Sequence, residues 1–178
     1  MTSPPQPPAS PSRIVLTGFM GSGKSTVGPL LAARLGWRFI DVDDVIESEA
    51  AMPITEIFAR RGEAVFRQRE HATIARLAQS AHLVLALGGG AIETEATRDL
   101  LLQTPGSLLV HLHVELSTTL VRCGGTEDTR PILADQPNLA ARYQRRLPFY
   151  RKAHISIAVD SLTPVEVAES ILRAAHLA

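Results

Sequence analysis

The chain has 178 residues, with 18 Lys plus Arg against 18 Asp plus Glu, so its formal net charge is zero. That balance gives no electrostatic footprint for nucleic acid or acidic lipid, and neither is expected as a partner; an anionic ligand must be held by locally concentrated charge. The lone cysteine, Cys123, excludes an intramolecular disulfide and a cysteine-built zinc cluster, and 45% apolar with 4% aromatic residues points to one compact domain cored by Val, Ile, Leu and Ala.

Residues 1–12, MTSPPQPPASPS, cannot bury enough apolar area to offset their ordering entropy, so a disordered tail is expected, with a proline-rich ligand as the alternative. The tail lacks the positive charge and apolar core of a secretory signal, and no apolar run is long enough to cross a bilayer. A cytoplasmic protein is the expectation. From residue 13 onward, short apolar runs alternate with longer amphipathic ones. Ile14–Thr17, Arg38–Asp41, Leu83–Leu87, Leu108–His113 and Ile155–Val159 read as strands buried on both faces. Helical patterns cover Lys24–Leu35, Asp44–Ala51, Ile54–Arg61, Ala64–Gln79, Glu93–Gln103, Glu115–Arg122, Leu139–Arg151 and Val165–His176, punctuated by Gly36, Gly62, Gly106 and Pro164. Alternating strands and helices predict an α/β domain over residues 13–178: a doubly wound, parallel, five-stranded sheet with helices on both faces. Gly124–Asn138 fits neither pattern, and a loop of that length in a compact domain reads as a lid.

Gly18-Phe-Met-Gly-Ser-Gly-Lys24-Ser25 matches G-x-x-x-x-G-K-[ST] in full, between a strand and a helix as the mechanism requires. Its glycines let backbone N–H groups point at a phosphate, and the helix N-terminus adds partial positive charge. Gly21, Ser22, Gly23, Lys24, Ser25 and Thr26 are therefore the expected ATP-binding residues. Lys24 can reach the β- and γ-phosphates, and the Ser25 hydroxyl can ligate Mg²⁺. No guanine-reading Asn-Lys-x-Asp segment is present, and the third strand ends in Gly88-Gly89-Gly90, where bare backbone admits a small substrate.

The second strand ends in Asp41-Val42-Asp43, at the carboxyl edge where open α/β sheets bind ligands. Residues two apart on an extended chain share a face, so one carboxylate can approach Mg²⁺ and the other an acceptor hydroxyl. The plainer reading makes Asp43 or Asp44 the N-cap of the next helix. Arg67 and Glu70 lie three apart on one helical face; taken alone, they read as a surface ion pair.

The segments GFMGSGKSTVG, DVDDVIE, ITEIFARRGEAVFRQRE, LALGGGAI, TRPIL and RRLPFYRKA occur in the order and approximate spacing of the shikimate kinase family, which the chain resembles from residue 13 to about 176. The resemblance implies transfer of the ATP γ-phosphate to the 3-hydroxyl of shikimate. It places Asp43 at that hydroxyl, Asp41 at Mg²⁺ through water, and Arg67 on the substrate carboxylate with Glu70 positioning it. It puts the backbone of Gly88, Gly89 and Gly90 at the ring hydroxyls, and Arg146, of an Arg-x-Pro-x-Tyr segment, on the carboxylate as a second clamp. It also implies that Arg122 packs on adenine and that Arg130 belongs to the lid. Lys24, Asp43 and Arg130 are then the expected catalytic residues, Mg²⁺ the cofactor, and ATP and shikimate the partners of a monomer. Two converging guanidiniums suit a carboxylate on general grounds as well. Two other functions remain to be weighed: a P-loop kinase for another hydroxy acid such as gluconate, and a non-catalytic nucleotide-binding module. The latter predicts a missing acceptor-side residue, yet Asp43, Arg67, Gly89 and Arg146 are all present.

Overall fold

Five apolar segments pair side by side in the order β2-β3-β1-β4-β5. They are β1 (Arg13–Thr17), β2 (Arg38–Asp41), β3 (Leu83–Ala86), β4 (Ser107–His113) and β5 (Ile155–Ala158). Every pairing is parallel. The computed structural model describes residues 5–124 and 135–177. Its helices are α1 (Lys24–Leu35), α2 (Val42–Ala50), α3 (Ile54–Leu77), α4 (Glu95–Gln103), α5 (Leu116–Cys123), α6 (Gln136–Tyr150) and α7 (Pro164–Ala174).

The three central strands are buried on both faces, as expected of a parallel sheet between helix layers, whereas the edge strands β2 and β5, read from the sequence as buried on both faces, are only partly covered. Ile14, Val15 and Leu16 of β1, Leu83, Val84 and Leu85 of β3, and Leu108, Leu109 and Val110 of β4 are fully buried. Helices α1 and α7 pack against each other, as do α2 and α3. Thr163 and Glu166 form a reciprocal capping box at the start of α7, with Pro164 in its first turn, which is why that helix begins where the sequence predicts.

Strand β1 lies between β3 and β4, so the chain winds first toward β2 and then back past β1 toward β5. The reversal opens a crevice beyond the carboxyl end of β1, the place where such sheets bind ligands. Several expected helix ends shift: α2 starts at Val42 rather than Asp44, and α6 at Gln136 rather than Leu139, so the last residues of the segment read as a lid are helical instead. Gly62, with non-helical φ 78° and ψ 164°, divides α3 into two helical stretches, as the sequence predicts; a residue with a Cβ seldom adopts this conformation. The helix expected from Glu93 starts at Glu95, after a 3₁₀ turn over Ala91–Glu93 and an extended Thr94.

Candidate active site

From β1 the chain turns through Gly18, Gly21 and Gly23, with φ of 149°, 73° and 91°. Gly23 caps α1 without a side-chain hydrogen bond, and its carbonyl accepts from Thr26 N at 3.0 Å and Val27 N at 2.8 Å; a helix N-terminus not capped by a side chain can receive an anion. Lys24 Nζ lies over the loop, donating to Gly18 O at 2.8 Å, Phe19 O at 3.1 Å and Ser22 Oγ at 3.3 Å. Ser22 is buried beneath it, while Ser25 and Thr26 stand exposed on the first turn.

Ser25 Oγ donates to Asp41 Oδ2 at 2.8 Å, and Asp41 Oδ1 accepts from Asp43 N at 3.1 Å. Asp41 is therefore the N-cap of α2, correcting the expectation that Asp43 or Asp44 would cap it. The strand stops at Asp41, so Asp43 reaches the crevice from the first helical turn rather than from a shared strand face.

Gly88 is where the carboxyls meet. A Cβ on it would lie 2.7 Å from Asp43 Oδ1 and 3.0 Å from Glu70 Oε1, so no larger residue fits without displacing them. Both oxygens are buried and carry no hydrogen-bond partner among the described residues. Burial, reinforced by Asp41 and opposed by Lys24 and Arg67, pushes the Asp43 carboxyl up to about 6. Burial likewise pushes Glu70 up to about 7, against the pull of Arg67. Arg67 Nη1 donates to Glu70 Oε2 at 2.6 Å, and Nη2 to Glu63 Oε1 at 3.2 Å. With Glu70 2% exposed, this is a buried ion pair rather than the surface pair suggested by helical spacing alone. The α3 segment beyond Gly62 turns that face toward the end of β3.

The two candidate clamp arginines reach neighbouring glycines. A Cβ on Gly90 would collide with the Arg67 guanidinium, and one on Gly89 would lie 3.4 Å from Arg146 Nη1. Arg146, on α6, donates from Nε to Glu93 Oε1 at 2.6 Å and stands over the Phe19 ring at 6.0 Å. The Tyr150 hydroxyl donates to Gly89 O at 2.6 Å, while its ring stacks on buried His111 with centroids 5.0 Å apart. Burial pushes His111 down to about 3, so it is neutral there. At the other end, Arg122 donates to Val159 O at 2.8 Å and Gly21 O at 3.2 Å. Cys123 is buried, with its Sγ 2.9 Å from where a Cβ on Gly21 would lie.

A single cavity of about 590 Å³ joins the phosphate loop, Asp41, Asp43, Gly88, Gly89, Arg122 and Arg146. Arg67, Glu70 and Gly90 do not line it but border it behind Asp43, Gly88 and Gly89. Arg130 lies outside the described residues, as does most of the expected lid. The cavity thus brings together the glycine loop, the Asp41 and Asp43 carboxylates and the Arg146 guanidinium.

The family profile described as shikimate kinase matches residues 20–176. The chain belongs to the shikimate kinase family. A shikimate kinase from Moorella thermoacetica is 43% identical over 166 residues, spanning 92% of this chain and 94% of the relative. The solved structure of shikimate kinase from Acinetobacter baumannii in complex with shikimate matches with a TM-score of 0.86 at 35% identity, covering 93% of each chain. A gluconokinase from Sinorhizobium meliloti reaches a TM-score of 0.58 at 23% identity, covering 93% of this chain and 92% of its own, and shares the fold alone.

Three residues bonded to or packed on Arg146 and Gly89 escape sequence reasoning: Glu93, Tyr150 and Phe19. Tyr150 ends the Arg-x-Pro-x-Tyr segment, a signal that could have drawn attention to it. Glu93 resembles an ordinary acidic residue at a helix start, and Phe19 an unconstrained loop position.

Proposed function

We propose that this member of the shikimate kinase family transfers the γ-phosphoryl group of ATP to the 3-hydroxyl of shikimate, giving shikimate 3-phosphate and ADP in aromatic amino-acid biosynthesis. The observation carrying this reading is the line of three glycines. Gly88 faces Asp43, while Gly89 and Gly90 face the guanidiniums of Arg146 and Arg67, so a compact ring bearing a hydroxyl and a carboxylate fits against them.

The loop amides of Gly21, Ser22 and Gly23, with Ser25 and Thr26 on the first turn, hold the ATP phosphates, and Lys24 neutralises charge between the β- and γ-groups. Arg122 supports the adenine end. Arg146 and Arg67 hold the substrate carboxylate, with Glu70 fixing Arg67, and the backbone of Gly88, Gly89 and Gly90 meets the ring hydroxyls. Asp43 accepts the proton of the attacking hydroxyl as the new P–O bond forms and the bond to ADP breaks. Its burial favours this role, because a carboxylate poised near 6 is basic enough to take a proton and still ionised at neutral pH.

The donor set fits Mg²⁺: a hydroxyl and a carboxylate, both hard oxygen ligands, meet where Ser25 Oγ and Asp41 Oδ2 lie 2.8 Å apart. Mg²⁺ takes few protein ligands and keeps waters and substrate phosphates for the rest; Asp41 would act through such a water. When bound, the ion neutralises charge on the phosphates. Residues 13–178 form the kinase domain in this proposal, following the tail of residues 1–12, and the segment from about Gly124 to the start of α6 at Gln136 forms the lid that brings Arg130 to the transferring phosphate. The enzyme acts as a cytoplasmic monomer. No helix among the described residues is long and apolar enough to cross a membrane.

A coupled assay of ADP release, with shikimate and gluconate in separate reactions, tests the reading. Turnover with shikimate alone is expected. Faster turnover with gluconate would replace the substrate, and none with either would favour the non-catalytic module.

A further inference from the structure

We infer that Glu93 is a positioning residue that sets the aim of Arg146, and hence the affinity for the acidic substrate. The inference rests on the proposed role of Arg146 as a carboxylate clamp. Glu93 stands three residues beyond Gly90, on the short 3₁₀ turn that follows the glycine run. Its Oε1 accepts from Arg146 Nε at 2.6 Å, and its Oε2 accepts from Arg145 Nε at 3.0 Å.

The geometry divides Arg146 into two working edges. Nε is taken by Glu93, while Nη1 is directed toward Gly89, beside the cavity that Arg146 lines. A guanidinium is a rigid planar fork, so fixing one nitrogen fixes the direction of the others. Phe19 supports its face, and the side chain retains 7% exposure. Tyr150 also accepts a hydrogen bond from Arg146, so Glu93 is the anionic partner among the contacts that fix the guanidinium.

Glu93 is itself anchored. Arg98, buried on α4, donates to both Ile92 O and Glu93 O at 2.8 Å, and its guanidinium lies 4.6 Å from the Phe149 ring of α6. The turn carrying Glu93 is thereby tied to α4 and α6 together. Arg145 and Arg146 are both cations, so one carboxylate shared between them also relieves their mutual repulsion. Although burial pushes it upward, hydrogen bonds from Arg145 and Arg146 hold the Glu93 carboxyl below its ordinary range, keeping it ionised at neutral pH.

An opposing effect gives the test its sign. As an anion near the clamp, Glu93 also repels a substrate carboxylate. If repulsion outweighed positioning, removing Glu93 would tighten binding. A bond to a charged partner contributes about 1.5–3 kcal/mol, whereas Glu93 retains 23% exposure, so solvent screens its repulsion of a more distant ligand. Positioning should therefore dominate.

The experiment measures steady-state kinetics of Glu93→Ala, Glu93→Gln, Arg146→Ala and the Glu93→Ala/Arg146→Ala double variant in the full chain, varying shikimate at saturating MgATP and then the reverse. Glu93→Ala should raise the KM for shikimate about tenfold, with kcat and the KM for ATP within about twofold of the parent, as loss of a charge-assisted bond predicts. Gln keeps an acceptor but not the charge and should raise it only about two- to threefold. The double variant should be no worse than Arg146→Ala alone, because Glu93 acts through that arginine. An unchanged or lowered KM in Glu93→Ala, or additive losses in the double variant, would overturn the inference while leaving the clamp intact. An Arg146→Ala variant with normal shikimate KM would overturn both. Should Glu93→Ala fail to fold, Glu93→Gln decides alone: a KM at or below that of the parent refutes positioning.

Discussion

Replacing Asp43 with Asn should make the ligand-free protein more stable at neutral pH while nearly abolishing turnover. Asp43 is held in the crevice with Oδ1 buried and unpartnered among the described residues, and its carboxyl rises from 3.8 to about 6, chiefly through burial. A folded-state value above the unfolded one means that folding favours the neutral acid. That stabilisation is complete below the unfolded value of 3.8 and is lost as pH rises from there through about 6. At ~1.4 kcal/mol per pH unit, the parent loses about 3 kcal/mol across this window. Asn carries no titrating charge and escapes the loss, and its amide can donate toward Glu70 Oε1 across Gly88. The net gain should be about 1–3 kcal/mol at pH 7.5, a rise of roughly 3–9 °C in Tm for a domain of this size. Urea unfolding of both proteins from pH 4 to pH 7.5, without nucleotide or shikimate, supplies the measurement, and the gap should open chiefly between pH 4 and pH 6. A gap independent of pH, or an Asn variant less stable than the parent at pH 7.5, would refute the claim that Asp43 is a strained charge. In parallel, kcat should fall by about 10²-fold, as loss of a positioned base does.

Lys24→Met should keep the melting behaviour of the parent and lose nearly all turnover; a well-folded variant with near-normal kcat would remove the phosphate-loop assignment. Arg67→Ala and Arg146→Ala should each raise the shikimate KM at least tenfold, from about 1.5–3 kcal/mol per lost charge-assisted contact, while ATP titration gives an unchanged Kd. Gly88→Ala places a methyl 2.7 Å from Asp43 Oδ1 and 3.0 Å from Glu70 Oε1, so kcat should drop more than tenfold with the phosphate loop intact; unchanged kcat would show that the acceptor side tolerates displacement.

The fold was legible because its signals are local. Each strand lies within one residue of its predicted ends, since an apolar run bounded by Gly, Pro or a charge needs no distant partner to be recognised. The phosphate loop was legible for the same reason. Signals failed where a residue's role is set by something far along the chain. Glu70 looks like half of a surface pair until β3 and the glycine run close over it, leaving it 2% exposed. Glu93 meets Arg146 across 53 positions and Tyr150 meets Gly89 across 61; helical spacing predicts neither contact. The Asp41 cap was missed for a different reason. With Asp41, Asp43 and Asp44 in succession, each an able cap, only the observed turn selects Asp41 as the one outside the helix.

In the proposed reaction, Asp41 has one oxygen for each half. Oδ2 belongs to the nucleotide side through Ser25, and Oδ1 holds the amide of Asp43, the residue that faces the acceptor. The carboxylate is a rigid plane, so a pull on one oxygen turns the other. In the reaction as proposed, loading the nucleotide side would act on the turn carrying Asp43 through this one carboxylate, coupling the two ligands. Whatever factor nucleotide applies to the affinity for the acid, the acid must return to the nucleotide, and a molecule filling both halves at once would gain that coupling without waiting for a second partner.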